Sequence, residues 1–171
     1  QLVLNGKKSD VGGDLSENVA KSYRTGMEVN ASWRILPSLR WDLAFGTSKN
    51  RIKSYTLYAW SEKAQDNVAT VYKDTPIAYS PSMTLSNMLS FTQGNFEATL
   101  SSQYIGQQYL DNTGSKQRSL PSYHIASLRL GYDLPVRFAK RWNVSLQVNN
   151  LFNAKYSSGG WASYSFDKHG A

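Results

Sequence analysis

Met27-Glu28-Val29-Asn30-Ala31-Ser32-Trp33-Arg34-Ile35, Leu36-Pro37-Ser38 and Leu39-Arg40-Trp41-Asp42-Leu43-Ala44-Phe45 form the stretch that decides the fold. On both sides of the proline every second residue is apolar, and charged or polar residues fill most of the gaps. Successive strand residues face opposite sides, so this period of two predicts two β-strands, each with one apolar face. Pro37 marks a tight turn between them. A hairpin closed there sets residue 33 beside 41, apolar against apolar. The same alternation recurs over 83–91, 96–104, 126–134 and 142–148. On the apolar parity of all six stretches no residue is charged, and only Asn87 and Ser102 are polar. Glu28, Arg34, Arg40, Asp42, Glu97, Arg129 and Asp133 hold the opposite parity. A slip of one residue would exchange the two faces, so register is strongly specified.

The connections alternate in length. Gln93-Gly94 marks a second tight turn, from which 91 is expected opposite 96. A slightly longer turn over 135–141 places 132 opposite 144. Long polar connections are expected over 7–22, 58–75 and 111–119. Gln1 to Asn5 reads as the end of a strand, and 161–166 as the start of another. The fold class expected is all-β, an antiparallel up-and-down meander.

Composition narrows the function classes. Charged residues are 18% of the 171, below the roughly one quarter of an ordinary domain, while aromatics reach 13% with eleven Tyr and five Trp. The longest apolar run, 57–60, is far short of the ~20 residues of a membrane helix. Without cysteine there is no disulfide framework, thiolate metal site or Cys nucleophile. The net charge of +7 comes from scattered Lys and Arg with no basic block, so nucleic acid is not an expected partner.

One apolar and one polar face suit either a soluble barrel with an apolar core or an outer-membrane barrel whose apolar face meets lipid. Three features favour lipid. With their flanks the strands reach the ~9–11 residues of a tilted membrane crossing, beyond the ~5–6 usual in soluble sheets. Trp33, Trp41, Phe91, Phe96, Tyr132 and Trp142 gather where the apolar face meets the short turns, the placement of an interfacial girdle. Short turns at one end and long loops at the other are the outer-membrane pattern. Six strands fall below the ~8 of the smallest such barrels, so the expected architecture is an arc of a large transmembrane β-barrel. A soluble lipocalin-like binding barrel and a passive porin remain the alternatives.

Specific segments add a resemblance. Asn149-Asn150-Leu151-Phe152-Asn153-Ala154-Lys155-Tyr156 resembles the penultimate strand of TonB-dependent outer-membrane receptors. Ser22-Tyr23-Arg24-Thr25-Gly26-Met27-Glu28-Val29, Ser48-Lys49-Asn50-Arg51-Ile52 and Tyr104-Ile105-Gly106-Gln107-Gln108-Tyr109-Leu110-Asp111-Asn112 are similar to other segments of those barrels. The resemblance implies a barrel of roughly 22 strands filled by a plug domain. Residues 1–171 would be its C-terminal segment, with the plug, the TonB-contacting box, the earlier strands and the final strand absent. It implies a bacterial outer-membrane location, outer-membrane lipid, the protein's own plug and the inner-membrane TonB complex as partners, and active uptake of a scarce nutrient. The segment at 149–156 looks most like receptors for ferric siderophores, haem and cobalamin. No enzymatic activity or cofactor is implied.

Candidate residues follow from parity. Arg24, Tyr109 and Tyr123 keep the inward parity at the long-loop end, and Tyr58, Trp60, Tyr72 and Trp161 are loop aromatics able to grip a ligand; the bland reading is interfacial aromatics. Glu28, Arg34, Arg40, Asp42, Glu97 and Arg129 face inward and are candidate plug contacts. Arg34 and Arg40 fall opposite one another, and like charges so placed destabilise a strand pair. Their counter-charge is either a plug carboxylate or the neighbouring Asp42. His124 falls on the outward parity and His169 in the tail, so neither joins the convergent set that a metal site needs. Asp10, Asp14 and Glu17 read as solvated loop residues. No spacing forms a catalytic acid–base pair or triad.

Overall fold

A computed structural model describes residues 2–136, 142–161 and 165–166. The chain runs through β1 (Leu2–Lys8), β2 (Asp14–Asn18), β3 (Ser22–Leu36), β4 (Leu39–Ser61), β5 (Asp66–Pro76), β6 (Met83–Gln93), β7 (Phe96–Ile105) and β8 (Gln108–Tyr109). A 3₁₀ turn (Lys116–Arg118) precedes β9 (Ser119–Leu120), β10 (Tyr123–Leu134), β11 (Trp142–Val148) and β12 (Ser165–Phe166). The main sheet is the expected antiparallel meander, with β3 beside β4, then β6, β7, β10 and β11. β12 adds two residues parallel to Trp60 and Ser61 of β4. Of the strand start expected over 161–166, Trp161 is not in a strand, 162–164 lie outside the described residues, and Ser165–Phe166 pair parallel to β4 and do not extend the antiparallel meander.

Parity sets the pairing. Trp33 faces Trp41, and Tyr132 faces Val144. The second hairpin differs from the expected register: Phe91 pairs with Ala98, and Gln93 with Phe96. Only Gly94 and Asn95 then make the turn, with Gly94 at φ +58. A two-residue hairpin needs a residue of positive φ, and glycine takes it without steric cost. Parity survives the shift, and Phe91 and Phe96 meet diagonally with ring centroids 6.3 Å apart. Of the expected 135–141 turn, residues 137–141 lie outside the described residues.

Two of the long connections are strands instead. Residues 7–22 hold the end of β1, the turn and β2, so Asp14 and Glu17 are strand and not loop residues, and 58–75 fall mostly within the β4–β5 hairpin. Val3, Val19, Ile52, Tyr55, Leu57 and Ile77 form one buried cluster, with Tyr72 packed against it. Burying each large aliphatic or aromatic side chain is worth about 1.5–3 kcal/mol, enough to hold an ordered block above the sheet. The closest approach is at Gly6, where φ is +80 and an added Cβ would lie 1.9 Å from the Tyr58 carbonyl oxygen. These strands look polar in sequence because each supplies only a few apolar residues, and their partners come from the remote β1 and β2.

β5 and β6 occupy the same edge of β4, opposite β3. Arg51 pairs with both Tyr23 and Pro76, and Phe45 with both Val29 and Leu85. The two are thus one barrel strand interrupted at 77–82. Ile77 N donates to Asn50 O (3.2 Å) and Ser48 N to Ser82 O (2.9 Å), closing the ladder on either side of the interruption.

The outward side is apolar and exposed, with Trp33 at 62% and Leu146 at 60%. A continuous exposed apolar surface marks contact with lipid or another protein. Among the described residues no helix is long and apolar enough to cross a membrane, which says nothing of strands.

Candidate functional site

At the long-loop end the inward face opens into a recess. Arg24 and Glu28 line it from β3, Ser48 and Asn50 from β4, and Thr84 from β6. Its remaining wall is Tyr79-Ser80-Pro81, from the segment that leaves the ladder between β5 and β6. Breaks of this kind re-aim side chains within a sheet and are concentrated next to functional sites. Tyr79 has φ +51, a left-handed conformation that costs a non-glycine residue energy and persists only where its surroundings hold it. Here Tyr79 N donates to Tyr109 O at 2.9 Å and its hydroxyl donates to Gly160 O. Ala78 N donates to Asn112 Oδ1 at 2.7 Å. Three loop segments are thereby tied into one wall.

Residues 106–122 are themselves pinned. Asp111 is 3% exposed and accepts from Thr113 N (2.8 Å), Thr113 Oγ1 (2.6 Å) and Arg118 Nε. Arg118 Nη2 also donates to Thr113 Oγ1 at 3.0 Å. A carboxylate so satisfied is stable where a bare one would be costly.

The sequence-selected ligand residues do not converge. Arg24 lines the recess, and Tyr109 adjoins it through the bond from Tyr79. Tyr58 lies under Lys7 Nζ, 4.0 Å from its ring centroid. Tyr72 stacks on Tyr55 at 5.5 Å, within the upper core, and Tyr123 stacks on Tyr156 at 4.6 Å. Trp60 stands near the β4–β5 tip, and Trp161 is 82% exposed. Tyr79 was missed, although Pro76 and Pro81 bracketing Ile77-Ala78-Tyr79-Ser80 are a legible interruption.

Along the middle of the strands the inward face carries the polar Asn30, Ser32, Ser86, Ser101, Gln103 and Ser127 beside Met88 and Ile125. Glu28, Arg34, Arg40, Asp42, Glu97 and Arg129 share this face. Arg34 and Arg40 are direct partners. Arg40 directs Nε (2.9 Å) and Nη2 (2.7 Å) at Asp42 Oδ1, so Asp42 supplies one counter-charge. Glu97 lies over Gly131, where an added Cβ would sit 2.5 Å from Oε1. On the outward face Trp33, Trp41, Phe91, Phe96, Tyr132 and Trp142 lie at the strand ends nearest the short turns. His124 is outward, paired with Tyr104; His169 lies outside the described residues. Among the described residues no three His, Cys, Asp or Glu side chains are grouped to hold a metal ion.

The family described as TonB dependent receptor-like, beta-barrel matches residues 2–151. The pesticin receptor of Yersinia enterocolitica serotype O:8 is 26% identical over 153 residues, covering 88% of this chain and 20% of that protein. The pesticin receptor of Yersinia pestis is 25% identical over 146 residues, covering 84% of this chain and 19% of that protein. The chain thus spans about a fifth of the length of these relatives. The chain belongs to the family of TonB-dependent receptor β-barrels, which are outer-membrane proteins and transporters rather than enzymes.

Proposed function

We propose that residues 1–171 are a C-terminal segment of a receptor barrel that imports a scarce nutrient across the outer membrane, with energy delivered by the inner-membrane TonB complex through a plug domain. The cargo is a ferric siderophore, haem or cobalamin. The observation that carries this reading is the recess at the long-loop end, where Arg24 and Tyr79 stand above the polar groups of the inward face. β3 and β11 each pair on one side only among the described residues. Open edges are prohibitive in lipid, so these edges are where further strands join. Glu28, Arg34, Arg40, Asp42, Glu97 and Arg129 face the volume a plug would fill, and the girdle aromatics meet the lipid interface. Cargo enters from the loop side, where Arg24 supplies a cation and Tyr79 a ring, with Tyr109 behind it.

The test is uptake of each of the three cargo classes by cells carrying the full-length protein, with and without a functional TonB complex. Tyr79→Gly keeps the backbone conformation while removing the ring and its hydroxyl. It should lower uptake of one cargo with normal amounts of folded protein in the membrane, as should Arg24→Gln. TonB-independent passage of unrelated small solutes, with no saturable cargo, would favour a porin and sink the proposal.

A further inference from the structure

Within the six alternating stretches the outward face carries one polar defect. Asn87 of β6 pairs directly with Ser102 of β7, and Ser102 pairs on its other side with Ala126 of β10. Among those stretches they are the polar exceptions on the apolar parity, and the outward His124, just before the fifth of these, lines the same groove. The structure sets them in one groove of about 330 Å³, with Leu89 and Leu100 beside them. Trp41 lines it from β4 and Phe152 from the turn after β11, so aromatic rings stand on opposite sides of a floor of small side chains. Trp41 Nε1 donates to Asn87 Oδ1 at 3.4 Å. The Asn87 Nδ2 has no acceptor among the described residues.

We propose that this groove seats one acyl chain of a membrane lipid, and that an ester or hydroxyl oxygen of that lipid accepts hydrogen bonds from Asn87 Nδ2 and Ser102 Oγ. The inference rests on the apolar face meeting lipid, and is independent of which cargo is carried. Trp41, which bonds Asn87, belongs to the interfacial girdle, so the linkage oxygens of a lipid lie near the depth of these donors and are the acceptors that chemistry offers them. The groove falls within the ~300–1,000 Å³ of small-ligand sites, which combine apolar walls with a few orienting polar groups. The outward face of an outer-membrane barrel is bathed in lipid, so an acyl chain is the occupant in excess at this groove. The pair is uncharged, which suits a linkage oxygen rather than a headgroup phosphate.

The experiment uses the full-length protein in phosphatidylethanolamine–phosphatidylglycerol vesicles doped with a phospholipid bearing a diazirine in its acyl chain. Cross-linked peptides are mapped after illumination. Labelling should concentrate on Leu89, Leu100 and Phe152 above that at Val29 and Leu146. Asn87→Leu combined with Ser102→Ala should reduce it roughly tenfold through loss of two hydrogen bonds. Both substitutions make the face more apolar, so folding is preserved; Phe152→Ala, which removes one wall, is the second variant and should act in the same direction. Even labelling along the face, unchanged in the variants, overturns the groove while leaving lipid contact standing. Cross-links joining two protein copies at the groove overturn the lipid occupant. Absence of labelling anywhere on the face overturns lipid contact itself, whereas cargo uptake is read separately and does not bear on any of these outcomes.

Discussion

Trp33 on β3 and Trp41 on β4 are directly opposed on the outward face, and the adjacent pair, Arg34 and Arg40, is directly opposed on the inward face. One residue along a strand thus separates a paired aromatic surface from a paired cationic one. The pleat produces this separation, because neighbouring side chains point to opposite sides.

The aromatic pair sets the first prediction. In single-Trp variants of the full-length protein retaining Trp33, Trp41 or Trp142, bilayers with lipid-attached quenchers should quench all three strongly and at one common depth. Rings suited to the headgroup level share that depth when the short turns lie along one interface. Quenching that differs widely in depth, or is absent, would remove the girdle assignment.

The cationic pair gives a second. Asp42 takes both bonds from Arg40 and leaves Arg34 facing a neutralised partner. Asp42→Asn should lower the thermal transition of the barrel, because it sets two uncompensated guanidinium groups opposite one another. Arg34→Gln in the same background should restore much of the loss. Additive effects of the two substitutions would show that the charges do not interact.

A third prediction concerns the upper core. Gly6→Ala places a methyl 1.9 Å from the Tyr58 carbonyl oxygen at φ +80, so β1 must move off β4. The local loss should exceed about 1 kcal/mol, the scale of forcing alanine into positive φ. Hydrogen exchange should accelerate over 2–18 and 53–76 while β6, β7 and β10 keep their protection. Uniform acceleration across the sheet would contradict the separate upper block.

The fourth concerns the loop wall. Asp111→Ala removes the acceptor of three hydrogen bonds, one from a cation. Arg118 is one-third exposed and regains water, which keeps the cost below that of a fully buried pair, on the order of 1–3 kcal/mol. Limited proteolysis should then cut within 106–122, and Tyr79, which leans on Tyr109, should lose its fixed position and with it cargo affinity. Proteolytic resistance equal to the unsubstituted protein would show that the ion pair does not pin the loop.

Much of the fold was legible in the alternation around Pro37. It located six strand stretches, their faces and the Trp33–Trp41 register, because a period of two with one uncharged parity admits few other arrangements. The site was far less legible. Tyr58 and Tyr72 read as loop aromatics and Tyr123 as inward by parity, yet Tyr72 packs against the upper core, Tyr123 stacks on Tyr156 and Tyr58 lies under Lys7. Aromatic identity alone does not distinguish a ring that grips a ligand from one that holds a loop.

Strand periodicity, the sorting of charge to one face and the short-turn end were determined by the order of residues, since each depends only on near neighbours along the chain. The tertiary structure decided the rest. It joined β5 and β6 along one edge of β4, turned Tyr79 into the recess beside Arg24, and built the upper core from Val3, Val19, Ile52 and Leu57. It also brought Asn87 and Ser102 side by side on the outward face. These are contacts between residues far apart in sequence, and their energy comes from desolvation and hydrogen bonding that exist only once the strands have met.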